Sequence, residues 1–167
     1  MHETPADLAD LDRLLDESNR GAGPHLREIF HQDRRLSAAA LAELLPGVQI
    51  LSLATVTADC RPIAGAVDGL FFRGRFYFGS SPDSVRFRHL RARPQVSATH
   101  LRGEELAVVV HGTAHEIDPN ALEHEAFRSY LEATYPTWSE WGSGSPYARI
   151  DPTKMFAAWL PGGESSV

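Results

Sequence analysis

The sequence predicts a mainly β fold with flanking helices (α+β), in which six to seven strands form a small antiparallel barrel. From Val48 onward, the hydrophobic pattern changes from helical spacing to that of extended strands. The strands then follow one another as hairpins, as at Arg73-Gly74, where glycine supplies the positive φ of a two-residue turn. A single predicted helix interrupts this series of hairpins. Parallel strands would need a crossover of about a dozen residues or more, so these short connections favour an antiparallel barrel.

The first third of the chain is predicted to be helical. Residues 5–19 carry leucines spaced by three and four, which is the pattern of an amphipathic helix. Shorter helices are expected at 25–30 and 37–45, and Ser37 is a candidate N-cap for the second of them. Nothing in this region demands a chemical role, so we interpret residues 1–36 as an N-terminal helical extension.

The length and the termini indicate one domain. The chain has 167 residues, and we expect residues 37–160 to form the barrel and residues 161–167 to form a flexible tail. Cys60 is the only cysteine, so no disulfide can form within the chain. The first residues are acidic and polar, unlike the basic segment and apolar run of a signal peptide. We therefore expect a cytoplasmic protein without a membrane span.

The predicted strands lie between clear turn signals. They are expected at 48–57, 61–67, 70–72, 75–78, 95–101, 106–117 and 154–160. A helix over 118–134 has one apolar face and should lie against the outside of the sheet. Residues 135–147 form a loop with four aromatic side chains, of which Trp138 and Trp141 suit the lid over a flat ligand. The same aromatics equally suit the anchoring of a long loop to the core.

One stretch, where a strand leads into a helix through Gly79, is suited to hold an anion. Ser81 is a good N-cap and Pro82 suits the first helical position, so a helix is predicted to start there. The first N–H groups of this helix could converge on one phosphate with nearby hydroxyls and a guanidinium. These side chains belong to Ser80, Ser81, Ser84 and Arg86, with Arg88 close by. The alternative is an ordinary capped helix with a solvated basic face.

The charge is unevenly distributed. The net charge of −6 argues against a general nucleic-acid binder. Between residues 73 and 102, however, the sequence contains seven arginines and only one acidic residue, Asp83. An acidic chain therefore carries one basic region around the predicted anion site. These arginines are Arg73, Arg75, Arg86, Arg88, Arg91, Arg93 and Arg102.

Metal binding and nucleophilic catalysis find little support in the sequence. His111 and His115 share a strand face, but positions four apart on a strand are separated by about 13 Å, too far for both to bind one metal ion. His100 has no carboxylate or cysteine at ligand spacing, and His89 shares a helix face with Arg86. No Gly-x-Ser-x-Gly motif, P-loop or dinucleotide fingerprint occurs. By elimination, the chemistry is expected to come from a bound cofactor, and no catalytic residue is identified.

The order of these segments and their residues resemble the pyridoxamine 5′-phosphate oxidase-like superfamily, the flavin-binding split β-barrel. The resemblance covers about residues 37–160. The segments that carry it are 53–62, 74–86, 93–97 and 110–114. It implies an FMN-binding type of split barrel and a homodimer with two flavin-type cofactors bound across the subunit interface. It also implies that the loop and helix around Arg86 help to grip the cofactor phosphate.

Two departures from the family pattern limit the activity that the resemblance implies. Oxidases of pyridoxamine phosphate carry an arginine and a lysine on the second strand that help to hold the flavin, and Gly65 and Leu70 occupy these positions here. Those enzymes also carry an arginine and a histidine near the C-terminus for the substrate phosphate, and residues 159–164 contain neither. True pyridoxamine phosphate oxidation is therefore not expected.

Within the superfamily, the expectation is an FMN-dependent oxidoreductase that transfers a hydride to or from a small organic substrate. An enzyme using the 8-hydroxy-5-deazaflavin coenzyme is the alternative, but the acidic N-terminal segment offers little positive charge for that coenzyme's glutamate tail. The residues expected to bind the cofactor are Thr55, Val67, Asp68, Gly79, Ser80, Ser81, Ser84, Arg86 and Arg88. Trp138 and Trp141 would cover the substrate.

Two interpretations from other classes stay open at this point. A split barrel that binds or degrades haem would need an axial ligand such as His100 or His111. A non-catalytic module would hold a flavin or a phosphorylated metabolite as a sensor.

Overall fold

The computed structural model describes residues 2–142 and 144–160, so the predicted tail at 161–167 lies outside the described residues. The described helices are α1 (Pro5–Arg20), α2 (Pro24–Ile29), α3 (Ala38–Leu44), α4 (Val85–Ala92), α5 (Glu125–Thr134) and α6 (Trp138–Trp141). The strands are β1 (Val48–Val56), β2 (Pro62–Phe72), β3 (Arg75–Gly79), β4 (Gln95–Arg102), β5 (Leu106–Ile117) and β6 (Tyr147–Trp159). None of the described helices combines the length and the apolar character needed to cross a membrane.

The described strands close into a six-stranded barrel in the order β1-β2-β3-β6-β5-β4, and every pairing is antiparallel. This confirms the predicted α+β split barrel. Two predicted strands, at 61–67 and 70–72, are one continuous strand, β2. The last strand begins at Tyr147, earlier than predicted. The helix expected over 118–134 is α5 alone, preceded by a short 3₁₀ turn at Leu122–His124.

The barrel interior and the helices beside it form the main core. Inward residues of the strands pack with Phe87 and Leu90 of α4 and with leucines of α1 and α3. The Phe87 ring lies 6.2 Å from the Phe78 ring of β3. A second cluster lies between the sheet and α5–α6, and it contains Phe127, Tyr130, Trp138 and other aromatic side chains. Helix α4 thus packs against β1 and β5 as part of the main core, which holds its N-terminus at one position.

The N-terminal helix is attached to the barrel by side chains as well as by apolar packing. Ser18 Oγ of α1 accepts a hydrogen bond from Met155 N of β6 at 2.9 Å. Asp12 Oδ1 accepts one from Ala38 N at the start of α3 at 2.6 Å. The predicted N-terminal extension is therefore packed onto the barrel.

Candidate functional site

The helix that follows β3 starts three residues later than the sequence suggests. Ser84 is its N-cap, and the Ser84 Oγ accepts a hydrogen bond from Phe87 N at 3.2 Å. The prediction of Ser81 as N-cap with Pro82 in the first helical position is wrong. Instead, Ser84 N donates to Ser81 O at 3.0 Å, which closes a turn through Pro82. The first N–H groups of α4, which have no partner within the helix, therefore lie beside Ser84 and Arg86.

Arg86 lies at an open edge of the barrel. Its guanidinium donates to Ala66 O of β2 at 3.2 Å. β3 pairs only with residues 69–72 of β2, so the preceding half of β2 extends beyond that partner. A Cβ added at Gly65 would lie 3.5 Å from Arg86 Nη2, which is an ordinary van der Waals distance, so the guanidinium lies directly beside this glycine. Gly65 is the position where the family pattern has an arginine, and here Arg86 brings a guanidinium to it from α4.

Arg86 carries a positive charge without an acidic partner. Its side chain is partly buried, and this desolvation lowers its pKa below the ordinary value of an arginine. Within residues 2–142 and 144–160, no Asp or Glu forms an ion pair with it, and its one side-chain hydrogen bond goes to a neutral carbonyl. A partly desolvated guanidinium of this kind gains most from a phosphate, which can accept two of its N–H groups.

Several other arginines of the basic region have structural partners. Arg91 donates to Glu116 Oε2 and Oε1, both at 2.8 Å, and to Pro82 O at 2.9 Å. Arg93 donates to Val56 O at 3.0 Å. Arg75 lies 3.1 Å from Asp151 Oδ1. Arg91 thus ties α4 to β5 and to the turn that precedes Ser84, and this contact positions the predicted anion site.

The pairing of Arg91 with Glu116 predicts a stability change in acid. The hydrogen bonds from Arg91 lower the pKa of Glu116 below its ordinary value of 4.5. The pair therefore contributes fully above that ordinary value and is lost as the pH falls through the lowered pKa. We expect Glu116→Gln to lower the free energy of unfolding at neutral pH, and we expect the difference from the wild type to shrink as the pH falls through the lowered pKa. Urea unfolding of both proteins at each pH measures this, and a gap that persists in acid would contradict it.

A small cavity beside Arg86 brings several predicted site residues together. It has a volume of about 230 Å³, and we call it the Asp68 pocket. Its lining is Asp68, Leu70, Gly79, Ser80, Ser81, Tyr135, Trp141, Ser145 and Tyr147. Asp68 lies two residues along β2 from Ala66, so the pocket is about 7 Å from the carbonyl that Arg86 contacts. The structure therefore places Asp68, Gly79, Ser80, Ser81 and Trp141 around one space.

Thr55 and Val67 lie elsewhere. Thr55 is 4% exposed, and its Oγ1 lies 2.9 Å from Nδ1 of His89 on α4. Val67 belongs to the main core. Successive strand residues face opposite sides of a sheet, so the outward positions are those of their neighbours, Ala54 and Ala66. Thr55 and Val67 thus fill the barrel, and the outer surface of β1 and β2 is formed by smaller residues.

Trp138 and Trp141 have different surroundings although they share the short helix α6. Trp138 is 1% exposed, and its Nε1 donates to the Tyr147 hydroxyl at 3.2 Å. Its side chain therefore anchors the aromatic segment to the second core. Trp141 is 55% exposed at the rim of the Asp68 pocket, and its ring lies 5.5 Å from the Tyr135 ring at 84°. Only Trp141 is in a position to cover a ligand in this pocket.

Two tyrosines of the pocket were not singled out from the sequence, although both lie in the aromatic segment. Burial, together with the nearby charge of Asp68, raises the pKa of Tyr135 to about 12. Burial also raises the pKa of Tyr147. A Cβ added at Gly79 would lie 2.8 Å from Tyr147 Cζ, so the Tyr147 ring packs directly on the Gly79 backbone. Both phenols stay protonated near neutral pH and can donate hydrogen bonds.

The two histidines considered as haem ligands occupy different environments. His100 is 6% exposed, and its Nδ1 lies 3.0 Å from Ile50 O. Its Nε2 is buried without a hydrogen-bond partner. His111 is exposed, and its Nδ1 lies 2.7 Å from Ser97 Oγ. In the part of the chain that the structure describes, no three His, Cys, Asp or Glu side chains are grouped to hold a metal ion.

The outer surface formed by β1, β2 and β4 carries no charge at its centre. We call it the small-residue face, and it is formed by Ser52, Ala54, Ala64, Ala66, Ser97 and Thr99. The strand register makes it continuous, because Ser52 pairs with both Ala66 and Thr99. At its end, Ile50 and Leu101 are 57% and 62% exposed. Such an uncharged surface with exposed aliphatic residues is typical of an interaction site.

Comparisons with known proteins agree with this fold. A family model described as pyridoxamine 5′-phosphate oxidase matches residues 37–157. A conserved hypothetical protein from Mycobacterium tuberculosis is 20% identical with a TM-score of 0.61, over 77% of this chain and 88% of its own. No curated protein shows significant sequence similarity to the chain.

Two further solved structures share the fold and have names that mention a ligand. A FAD-binding protein from Mesorhizobium loti is 22% identical with a TM-score of 0.58, over 75% of this chain and 94% of its own. The haem storage protein HutZ from Vibrio cholerae is 16% identical with a TM-score of 0.58, over 81% of this chain and 93% of its own. At these identities the similarity establishes the fold alone.

Proposed function

Because the chain belongs to the pyridoxamine 5′-phosphate oxidase family, we propose that it is an FMN-dependent oxidoreductase acting on a small organic substrate. The observation that carries the proposal is Arg86, a partly desolvated guanidinium without an acidic partner in the described residues, at the N-terminus of α4. A helix N-terminus and an unpaired arginine both favour a phosphate group.

The residues present fit the phosphate of such a cofactor on one side of the site. Arg86, the Ser84 hydroxyl and the first N–H groups of α4 would hold it, with Arg88 exposed on the same helix. The carboxylate of Asp68 would repel a phosphate from the neighbouring pocket. The phosphate end is thus assigned to Arg86, and Ser80 and Ser81 line the Asp68 pocket.

The flat part of the cofactor would lie on the small-residue face, next to Arg86. Alanine and serine side chains let a planar ring approach the sheet closely, and the face has no central charge that would be desolvated. A second copy of the chain would cover the other side of the ring, which makes the protein a homodimer with the cofactor at its interface. The exposed Ile50 and Leu101 at the end of this face support such a contact.

In this arrangement each group has a defined task. Bound FMN supplies hydride transfer to or from the substrate. Arg86 fixes the phosphate, the Asp68 pocket holds the substrate beside the ring, and Trp141 covers the pocket entrance. Tyr135 stays protonated and can orient the substrate by donating a hydrogen bond. Solvent can provide the proton, so no side chain is required as a proton donor.

FMN suits these residues better than the 8-hydroxy-5-deazaflavin coenzyme does. Helix α1 has five acidic residues, Asp7, Asp10, Asp12, Asp16 and Glu17, against Arg13 and Arg20, so it offers few cations for a glutamate tail. A haem is the less suitable ligand, because the Nε2 of His100 is buried and the Nδ1 already contacts Ile50 O.

The experiment that tests the proposal is a titration of the purified protein with FMN, the deazaflavin coenzyme and haemin. Flavin fluorescence and the visible absorption spectrum distinguish these ligands. We expect saturable binding of FMN at one site per chain, and FMN in the protein as purified. Selective binding of the deazaflavin would show that this coenzyme, and not FMN, is the cofactor. A Soret band on haemin addition without FMN binding would overturn the proposal. A protein that binds none of them would also overturn it.

The proposed homodimer predicts the effect of a charge on the small-residue face. We expect Ala66→Arg to weaken dimerisation by about 100-fold or more, because an unpaired buried charge costs several kcal/mol. Sedimentation velocity over a concentration series measures the change. Ala133→Arg, on the exposed surface of α5, adds the same charge elsewhere and should leave the dimer intact. A monomeric wild type, or an unaffected Ala66→Arg dimer, would contradict this interface.

A further inference from the structure

We propose that the Asp68 pocket is a subsite for an ammonium group, so that the substrate is a small amine that binds in its protonated form. The proposal rests on the proposed function only in calling this ligand a substrate. The subsite itself follows from the composition of the pocket, which combines one carboxylate with three aromatic rings.

The charges of the lining favour a cation. Among the described lining residues, Asp68 carries the only formal charge, and no Arg, Lys or His belongs to the lining. Asp68 is exposed, and no ion pair of the described residues includes it. The negative charge of Asp68 acts on the neighbouring phenols, since it contributes to the raised pKa of both Tyr135 and Tyr147. An anionic ligand would meet this carboxylate without any compensating cation.

The aromatic side chains are suited to the same ligand. Tyr135, Trp141 and Tyr147 line the pocket together with Asp68. Trp141 stands edge to face with Tyr135, at a ring distance of 5.5 Å and an angle of 84°. Ring faces attract ammonium groups, and a cage of aromatic side chains with a carboxylate is a common way to bind them. The serine hydroxyls of Ser80, Ser81 and Ser145 can accept the remaining N–H groups.

The size and the position of the pocket restrict the ligand further. A volume of about 230 Å³ admits one small ring or a short alkyl group with its ammonium. The Tyr147 ring sits on Gly79 and closes the pocket on that side, so the ligand enters past the exposed Trp141. The adjacent small-residue face, reached across Asp68 and Ala66 of β2, is where the cofactor ring is proposed to lie.

The test uses isothermal titration of the cofactor-free chain with three probes of similar shape, namely benzylamine, benzyl alcohol and benzoate. We expect benzylamine to bind most tightly and benzoate to show no binding. Asp68→Asn should weaken benzylamine binding by about tenfold or more, the value of a charge-assisted contact, and should leave the affinity for benzyl alcohol unchanged. Trp141→Ala should weaken benzylamine binding as well.

The matched control is Asp83→Asn, which removes an exposed carboxylate from the neighbouring turn without touching the pocket lining. It should bind benzylamine like the wild type. Binding of benzoate as tight as that of benzylamine, or equal loss in both aspartate variants, would overturn the proposal. Because the cofactor is absent from the titration, a failure to bind FMN would count against the proposed function and would leave this result standing.

Discussion

Replacing Trp138 by alanine is expected to lower the free energy of unfolding by about 3–5 kcal/mol, the usual cost of removing a large buried aromatic side chain. The indole is 1% exposed and packs in the second core. The loss would also leave the Tyr147 hydroxyl without the hydrogen bond from Trp138 Nε1. Gly142 closes the other side, since a Cβ added there would come within 2.2 Å of that nitrogen. The site therefore has little freedom to adapt.

Urea unfolding of the variant and the wild type measures this change. Trp141→Ala is the matched control, because Trp141 lies on the same short helix but is 55% exposed. Its effect on stability should stay within about 0.5 kcal/mol. Trp138→Phe should fold with a smaller loss, which keeps the comparison possible if the alanine variant does not fold. Equal losses at the two tryptophans would mean that Trp138 is not a core residue.

The sequence predicted the barrel because hairpin turns and strand patterns are local signals. The local pattern predicts a break at Asp68-Gly69, whereas β2 runs through both residues. Gly69 in fact pairs with both Gln49 and Phe78. A Cβ added at Gly69 would lie 2.5 Å from Leu51 Cδ1, so the glycine serves close packing across the barrel. That contact joins residues far apart in the chain and is not visible in a local pattern.

The same limit applies to the side chains of the candidate site. The predictions about Thr55 and Val67 depended on which face of the strand each residue occupies, and a shift of one residue exchanges the two faces. Asp68, on the outward face, was placed at the cofactor site from the sequence, and it does line the pocket. For Trp138 and Trp141, aromatic composition identified the segment. Their opposite environments follow from how α6 docks on Tyr147 and Tyr135.

The position of Arg86 shows that a helix can bring to β2 a positive charge that the strand itself lacks. The sequence shows only that Gly65 replaces the arginine of the family. In the structure, the guanidinium that α4 carries lies beside Gly65 and donates to Ala66 O. Arg86 thus reaches the second strand from another element and brings a positive charge to β2, which has no basic residue of its own.

Arg86→Ala is accordingly expected to weaken FMN binding by about 1.5–3 kcal/mol, or roughly 10- to 150-fold, the range for a charge-assisted hydrogen bond. The guanidinium is already partly desolvated, so binding a phosphate to it requires little further desolvation. The fold should persist, because the single hydrogen bond to Ala66 O is replaceable by water at the open edge of β2. Titration followed by flavin fluorescence measures the affinity, and thermal unfolding without FMN verifies the fold.

Two further variants separate the role of Arg86 from a general loss of positive charge. Arg102→Ala removes an arginine of the same basic region, which lies 5.4 Å from the Trp159 ring instead of at the phosphate site, and it should bind FMN like the wild type. Arg86→Lys keeps the charge but not the two-pronged geometry, so its affinity should fall between those of wild type and alanine variant. Equal affinity of Arg86→Ala and Arg102→Ala for FMN would mean that Arg86 does not bind the phosphate. The phosphate would then have to lie away from the edge of β2, and the contact between Arg86 and Gly65 would have no role in binding it.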